Sequence, residues 1–318
     1  MQKNTIHYSK WLRRYATLLG YMILCGVFAF TTSNFFTVKN ALNILRQIAP
    51  LAILSLGLTF VMVTKRTDLS IGYATSILGI VVGAAMKHLG LPVWLAVLVT
   101  MFAGALIGLF NGFAVAYIGV PDFIATLGIG FLLSGLNQAY TKGYSISSFP
   151  DSFNLFGVQR IAQQVPVSIV ILLLVFLSFT FIISTTKFGR YIYAIGDNEE
   201  ATMMSGINTK FNILKSYILC GIGASIAAVV LTSKLGQANP TAGESYLLDA
   251  MASVYLGATA FKDGEPNLPG TLLGTLIIGS MSNGLTLMNV PYYIKDIATG
   301  IIIIVAVTVT ALQRMKKK

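Results

Sequence analysis

Long hydrophobic runs that do not alternate with polar residues dominate the chain. Residues 300–308, for example, read GIIIIVAVT. Apolar runs of roughly 18 residues or more are typical of bilayer-spanning helices, whereas the strands of a membrane barrel alternate apolar and polar positions. Lipid offers the backbone no hydrogen-bond partners, so helices are the remaining way to cross it. The pattern therefore predicts an all-α, polytopic membrane protein with a single transmembrane domain over residues 1–318.

The apolar runs divide this domain into ten predicted spans. The eighth is the weakest, because Glu244 and Asp249 lie in its first turns. Two longer polar segments, 142–164 and 186–210, interrupt the series. The ten spans cover residues 16–36, 48–64, 71–89, 91–118, 120–141, 165–185, 211–233, 244–260, 268–288 and 294–312.

The composition supports the membrane assignment and excludes other classes. Hydrophobic residues make up 55% of the chain and charged residues only 10%, while soluble globular domains carry about 25% charged residues. A net charge of +11 raises the question of nucleic acid, but basic residues in a membrane protein mark cytoplasmic loops. We therefore predict a lipid environment and no nucleic-acid partner. His7 and His88 lie far apart without cysteines or carboxylates around them, so no metal site is predicted.

The basic residues also predict the orientation. An even number of spans places both termini on one side, and if that side is the inside, 15 of the 22 basic residues lie on inner segments and their flanks. The positive-inside rule then predicts a plasma (inner) membrane protein with both termini in the cytoplasm. Segment 186–210 would be inside and segment 142–164 outside. The fifteen residues are Lys3, Lys10, Arg13, Arg14, Lys65, Arg66, Lys187, Arg190, Lys210, Lys215, Lys262, Arg314, Lys316, Lys317 and Lys318.

Two glycine-rich stretches resemble each other. Residues 104–112 read GALIGLFNG and precede Val120-Pro121, and residues 274–284 read GTLIIGSMSNG and precede Val290-Pro291. The first stretch lies in span four and the second in span nine, so the copies would cross the membrane in opposite directions. This arrangement is typical of the inverted repeats of transporters, although chance is the alternative because these residue types are common in membrane helices. Glycines four residues apart also predict close helix packing.

A short helix is predicted within segment 186–210. Asp197 or Asn198 can cap it, Glu199 and Glu200 suit its first turn, and Gly206 stops it. Met203, Met204 and Ile207 would then face the cytoplasm. The local residues leave two interpretations equally open: an amphipathic helix on the membrane surface, or a docking helix for a cytosolic subunit.

Several motifs resemble a known family. Glu200-Ala201-Thr202 followed by Gly206 resembles the EAA–x3–G loop of bacterial ABC importer permeases. Five further stretches resemble the ribose-type (monosaccharide) branch, in order and over nearly the whole chain. They are GLTFV at 57–61 leading to DLSIG at 68–72, NG at 111–112, VPDFIATLG at 120–128, TKFGR at 186–190 leading to IGDN at 195–198, and YLLDAMA at 246–252 leading to LG at 256–257.

The resemblance implies a type II ABC importer permease fold and a set of partners. These partners are cytoplasmic ATP-binding cassette subunits, an extracytoplasmic solute-binding protein, and a second permease copy or paralogue that completes a dimer. It also implies a coupling helix at about residues 197–207 that fits a groove of the ATP-binding subunit. The positions that match this helix are Asp197, Asn198, Glu199, Glu200, Ala201, Thr202 and Gly206.

Two positions depart from the family pattern. Lys65-Arg66-Thr67 stands where the family has a glycine pair before the aspartate, and Ala258 replaces the second glycine of an LGG motif. If the glycine pair permits a bend at membrane depth, this chain must form the turn differently. The departure leaves the identity of the solute open.

The chain contains no phosphate-binding P-loop, because no Gly-Lys dipeptide occurs in it. No catalytic constellation or cofactor motif is present either, so an enzyme is not predicted. Energy for transport must therefore come from a partner or from an ion gradient.

Polar residues within the predicted spans or near their ends are candidates for a translocation path. An uncharged solute needs hydroxyls, amides and aromatic faces, while an ion-coupled carrier needs buried carboxylates. For each candidate alone, a role in helix packing is the more common explanation. The candidates are Asp68, Asn111, Phe123, Thr126, Asp249 and Asn283, of which Asn111 and Asn283 occupy related positions of the repeat.

These observations lead to a main hypothesis and to alternatives. The main hypothesis is the permease subunit of an ABC importer for a monosaccharide such as ribose. A nucleoside or a branched-chain amino acid is an alternative cargo. A stand-alone secondary transporter driven by protons or sodium is the alternative class, and a structural or membrane-enzyme subunit is the least supported.

Overall fold

The computed structural model describes residues 2–161, 163–261 and 264–315, and within these ranges the chain is mostly helical. Lys262 and the lysines 316–318, counted above on the inner side, lie outside the described residues. The helices are α1 (Gln2–Thr31), α2 (Val38–Val63), α3 (Ile71–Lys87), α4 (Val93–Phe113), α5 (Asp122–Thr141), α6 (Val167–Thr185), α7 (Lys187–Asp197), α8 (Glu199–Met204), α9 (Thr209–Leu235), α10 (Tyr246–Thr259), α11 (Leu268–Leu287) and α12 (Tyr292–Met315).

Each of the ten predicted spans coincides with one of these helices, while α7 and α8 lie in the segment between spans six and seven. Among the described residues, five helices are long and apolar enough to cross a bilayer, which supports an all-α membrane protein. They are Val38–Val63, Val93–Ile118, Asp122–Thr141, Val167–Thr185 and Thr209–Leu235. Thr17–Thr31 and Ile71–Lys87 are shorter apolar helices. The count of ten spans therefore stays a prediction.

The chain divides into two compact units, of which the larger is Ala49–Leu248. Its centre is the packing of α4 on α9, with α3 against both. A Cβ atom on Gly104 would collide with the carbonyl oxygen of Gly221, and one on Gly108 with that of Tyr217. The glycine spacing of α4 therefore serves packing within the chain, because only glycine lets these two helix backbones approach so closely.

Segment 142–164 folds over one end of this unit. Its β1 strand (Ile146–Ser147) pairs antiparallel with β4 (Gln237–Ala238), with Ile146 opposite Ala238. A hairpin of β2 (Arg160–Ile161) and β3 (Val165–Pro166) follows a 3-10 turn over Asp151–Leu155. Phe153 of that turn is buried, and its carbonyl accepts a hydrogen bond from the Ser233 hydroxyl over 2.6 Å. Segment 142–164 and the residues around β4 thus form one continuous surface.

The smaller unit comprises residues 1–48 and 249–318. Within it, α11 packs against α1 and α12, and Phe28, Phe35, Ile44 and Ile48 form a buried apolar cluster. Beside them, the Asn40 amide donates through Nδ2 to Oδ1 of Asn283 over 2.9 Å.

A left-handed residue precedes both Val-Pro pairs. A π-helical turn over Ala114–Ile118 extends α4 and ends at Gly119, whose φ is +83°. After α11, Asn289 has a φ of +54°. Glycine and asparagine are the residue types that tolerate this conformation best. The local geometry is therefore alike at the two sites, while the repeat itself stays a prediction.

Candidate functional site

Segment 186–210, which includes the predicted coupling helix, contains two helices separated by Asn198. Helix α7 ends at Asp197, Asn198 is extended with a φ of −155°, and α8 begins at Glu199. Of the two predicted caps, Asn198 is the one used, because its Oδ1 accepts a hydrogen bond from the Ala201 amide over 3.0 Å. Gly206 then adopts a left-handed φ of +80° beyond the end of α8. The short helix is therefore narrower than the predicted range of 197–207.

The sequence analysis missed α7. Its Thr186 side chain caps the helix by accepting a hydrogen bond from the Gly189 amide. Ile192 and Ile195 are buried three residues apart on one face. This helical spacing after a capping threonine was the signal that could have predicted it.

Helix α8 exposes its apolar side chains. Met203 is 58% exposed and Met204 86% exposed, and Glu200 and Ala201 are exposed beside them. Thr202 faces inward and is buried. An exposed methionine pair on a capped helix suits a partner surface, because methionine adapts readily to apolar grooves. The coupling role of these residues nevertheless stays a prediction.

The junction of α7 and α8 lies against residues 64–70, which we call the 64–70 loop. Arg66 forms an ion pair with Glu199 at 2.8 Å between Nη2 and Oε2. The Lys65 ammonium donates to the carbonyl oxygen of Asp197 over 3.3 Å. The departure from the family's glycine pair is therefore located where the 64–70 loop meets the predicted coupling segment.

A buried polar cluster occupies the other end of the 64–70 loop. One oxygen of Asp68, Oδ1, accepts hydrogen bonds from the Ser70 amide at 2.9 Å and from the Ser70 hydroxyl at 2.6 Å. The Cys220 thiol lies 3.6 Å from the other oxygen, Oδ2. Asn111 donates through Nδ2 to the Ser70 hydroxyl oxygen over 2.7 Å. The predicted residues Asp68 and Asn111 thus meet through Ser70, which the sequence analysis did not select.

Asp68 lies between α2 and α3 and is almost fully buried. Burial raises the pKa of its carboxyl group above the ordinary value of aspartate, while the hydrogen bonds from Ser70 act in the opposite direction. The carboxyl group is therefore held in a site that penalises its charged form.

Side chains from α5 and α9 hold the backbone of the 64–70 loop. The Thr67 amide donates to Oδ2 of Asp122 over 2.5 Å, and the Thr67 carbonyl accepts from the Tyr217 hydroxyl over 2.9 Å. The Leu69 amide donates to the hydroxyl oxygen of Thr126 over 3.0 Å. Thr126 thus has a structural partner, while Tyr217 gave no sequence signal because its role depends on a tertiary contact.

The other candidates lie elsewhere. Phe123 is 59% exposed on the surface of the larger unit. In the smaller unit, Asn283 is buried against Asn40, and Oδ2 of Asp249 lies 3.8 Å from the Lys295 ammonium. That unit also contains an open, mostly apolar cavity of about 400 Å³ near Tyr21 and Ser280, which none of the six candidates lines. The structure therefore groups Asp68, Asn111 and Thr126 around one loop.

Among the described residues, no group of three or more histidine, cysteine, aspartate or glutamate side chains is placed to hold a metal ion. The fold and the site together define a class: an α-helical membrane protein with a capped surface helix next to a buried polar cluster.

Comparisons with known proteins identify the family. Residues 40–307 match the family described as "Branched-chain amino acid transport system / permease component". The chain belongs to this permease family, which confirms the resemblance drawn from the motifs. Members of the family are components of transport systems rather than enzymes.

Individual relatives cover almost the whole chain. The ribose import permease protein RbsC of Escherichia coli (strain K12) is 38% identical over 302 residues, which cover 94% of each chain. The ribose import permease protein RbsC of Bacillus subtilis (strain 168) is 35% identical over 96% of this chain and 95% of the relative. The xylose transport system permease protein XylH of Escherichia coli (strain K12) is 31% identical over 88% of this chain and 87% of the relative. No solved structure matches the chain.

Proposed function

We propose that the chain is the membrane-spanning permease subunit of an ABC importer and that its cargo is a monosaccharide of the ribose type. The relatives named above support the cargo class, because two are ribose permeases and a third is a xylose permease. A sugar carries no net charge, so a path built from amides, hydroxyls and aromatic faces would suit it.

The observation that carries the proposal is the surface of α8. Met203 and Met204 are exposed on a helix of six residues that Asn198 caps. Two exposed methionines are unfavourable in water unless a partner covers them. A cytoplasmic ATP-binding subunit with an apolar groove would cover them and would supply the energy that this chain cannot obtain from a P-loop of its own.

The remaining partners follow from the same proposal. Segment 142–164 would face outward and meet the solute-binding protein together with the turn near residues 234–243, and the pairing of β1 with β4 supports one shared surface. Both termini and segment 186–210 would lie in the cytoplasm. A second copy or a paralogue would complete the transport pathway.

Transport would proceed by alternating access. Closure of the ATP-binding subunits would push on α8, and this movement would open and close a central path between the two sides. Asp68, Asn111, Phe123, Thr126, Asp249 and Asn283 remain the proposed path residues.

Uptake of labelled ribose in proteoliposomes tests the proposal. The chain is reconstituted with its ATP-binding subunits and solute-binding protein, and uptake should require ATP. Replacing Met203→Glu together with Met204→Glu should abolish both assembly and uptake, because two carboxylates would have to enter an apolar groove. Met203→Leu with Met204→Leu is the matched control and should retain both.

Two outcomes would overturn the proposal. Uptake by the chain alone, driven only by a proton or sodium gradient, would establish a secondary transporter instead. ATP-dependent uptake of labelled leucine but not ribose would favour a branched-chain amino acid, the cargo class in the description of the matched family.

A further inference from the structure

We propose that Arg66 is a positioning residue that links α8 mechanically to the buried polar cluster around Asp68. Arg66 would hold the junction of α7 and α8 against the 64–70 loop, so that a displacement of α8 moves this loop. The inference rests on the proposed function and extends it. It assigns the connection between α8, which would meet the ATP-binding subunit, and the buried polar cluster around Asp68.

Two contacts fasten the junction to the loop, and a third holds α7 against Val63, the last residue of α2. The Arg66 guanidinium pairs with Glu199 at 2.8 Å, and the Lys65 ammonium donates to the Asp197 carbonyl over 3.3 Å. The third is a backbone contact, because a Cβ atom on Gly196 would collide with the carbonyl oxygen of Val63. The contacts involve side chains and backbone from both partners, so the two segments are expected to move together.

Arg66 is the strongest of these links. Its partner Glu199 is the first residue of α8, whereas Lys65 and Val63 contact residues that precede this helix. The charged hydrogen bond at 2.8 Å is within the range of strong ion pairs. The side chains of Arg66 and Glu199 are 25% and 42% exposed, so solvent screening limits the energy of the pair. A moderate link of this kind can transmit movement without locking the helix.

Beyond Arg66 the loop has little freedom to absorb a movement. The backbone of Thr67 is held at its amide by Asp122 and at its carbonyl by Tyr217, and the Leu69 amide is held by Thr126. Only Thr67 lies between Arg66 and Asp68 in the sequence. A displacement of Arg66 must therefore strain or break these hydrogen bonds. They connect the loop to α5 and α9, and Asn111 of α4 contacts the same loop at Ser70.

The conformation of Lys65 supports the same conclusion. Its φ of +60° is left-handed, a conformation that is unfavourable for a lysine. Such a residue persists where surrounding contacts determine its conformation. The turn therefore places Arg66 next to α8 at a local cost that a glycine would avoid, but a glycine pair could not form the ion pair with Glu199.

Hydrogen exchange on the purified chain in nanodiscs tests the link without partners. Arg66→Ala should accelerate exchange of the α8 amides about five-fold, the change expected for loss of one partly exposed ion pair. The amides of Thr67 and Leu69 should accelerate in parallel. Arg190→Ala removes an exposed arginine of α7 and should change neither. Faster exchange in α8 with an unchanged loop would overturn the inference.

The reconstituted transporter tests the consequence. Arg66→Ala should leave assembly and basal ATP hydrolysis intact. It should lower the transport ratio, which is the number of ribose molecules transported per ATP hydrolysed, about five-fold. The charge exchange Arg66→Glu with Glu199→Arg should restore this ratio to within about two-fold of the unchanged chain. Failure of Arg66→Ala to assemble, an unchanged ratio, or no rescue would each contradict the inference. If the unchanged chain moves no ribose while the exchange rates respond as expected, the proposed function fails and the link stands.

Discussion

Asn111 of α4 donates a hydrogen bond to the Ser70 hydroxyl over 2.7 Å, and both side chains are fully buried. This bond connects the glycine-rich helix α4 to the residue that precedes α3. Since Ser70 also donates to Asp68, the three polar side chains form one buried network. Such networks are stabilising when their members are paired and costly when one partner is removed.

We expect Asn111→Ala to lower the free energy of unfolding by about 1–2 kcal/mol, since it leaves the Ser70 oxygen with one partner fewer. Ser70→Ala should cost at least as much because it also removes the bonds to Asp68. The double variant should be less destabilised than the sum of the two by about 1 kcal/mol. Unfolding in mixed micelles measures all three, and strict additivity would show that the pair is not coupled.

The contact between α4 and α9 gives a prediction with an internal control. Gly108→Ala should destabilise the protein by about 1–3 kcal/mol, because the new methyl group meets the Tyr217 carbonyl and forces the helices apart. Gly128→Ala in α5 adds the same group where nothing lies within 4 Å. It should be neutral or slightly stabilising, since alanine favours helices over glycine. Thermal unfolding in detergent compares them, and equal effects would contradict the close approach.

The left-handed backbone at Asn289 predicts an asymmetric response to substitution. Asn289→Val should cost about 1–2 kcal/mol, because a β-branched residue tolerates a positive φ poorly. Asn289→Gly should be tolerated, since glycine adopts this conformation without a Cβ clash. The yield of folded protein after extraction, together with its melting temperature, distinguishes the two variants. A tolerated valine would mean that this turn relaxes to another conformation.

The proposed orientation can be tested by cysteine labelling. In a chain whose two native cysteines, Cys25 and Cys220, are replaced by alanine, Tyr144→Cys and Glu200→Cys place a thiol on each of two exposed segments. A membrane-impermeant maleimide should label the first variant in intact cells and the second only after permeabilisation, because the distribution of basic residues predicts that segment 186–210 lies inside. The opposite pattern would overturn both the orientation and the docking of α8 to a cytoplasmic subunit.

Much of the helical architecture was predictable because a bilayer leaves few choices. Each predicted span coincides with a helix, since long apolar runs without alternation can satisfy their backbone only in that way. Helix α7 was not predicted, because its 11 residues are too few to form a span, although its threonine cap and the spacing of its apolar residues mark it as a helix. The strands β1 and β4 are two residues each and far apart in the chain, so their pairing has no local signal.

The candidate site was only partly predictable. Asp68 and Asn111 were selected as polar residues in an apolar context, and the capping of α8 by Asn198 follows from local chemistry. The partners that hold the 64–70 loop, Asp122 and Tyr217, were not identified for this role. Their contacts join residues 55 and 150 positions apart, and no periodicity or spacing in a single sequence encodes such a distance.

The sequence by itself determined the class of protein, the position of the ten helices that match the predicted spans, and the family to which the chain belongs, because hydrophobicity, caps and motifs act over a few residues at a time. Only the tertiary structure decided that Arg66 meets Glu199 and that Ser70 joins Asp68 to Asn111. These pairings join residues from different elements, so they depend on how closely those elements pack. That distance is set by packing in three dimensions rather than by neighbouring residues in the chain.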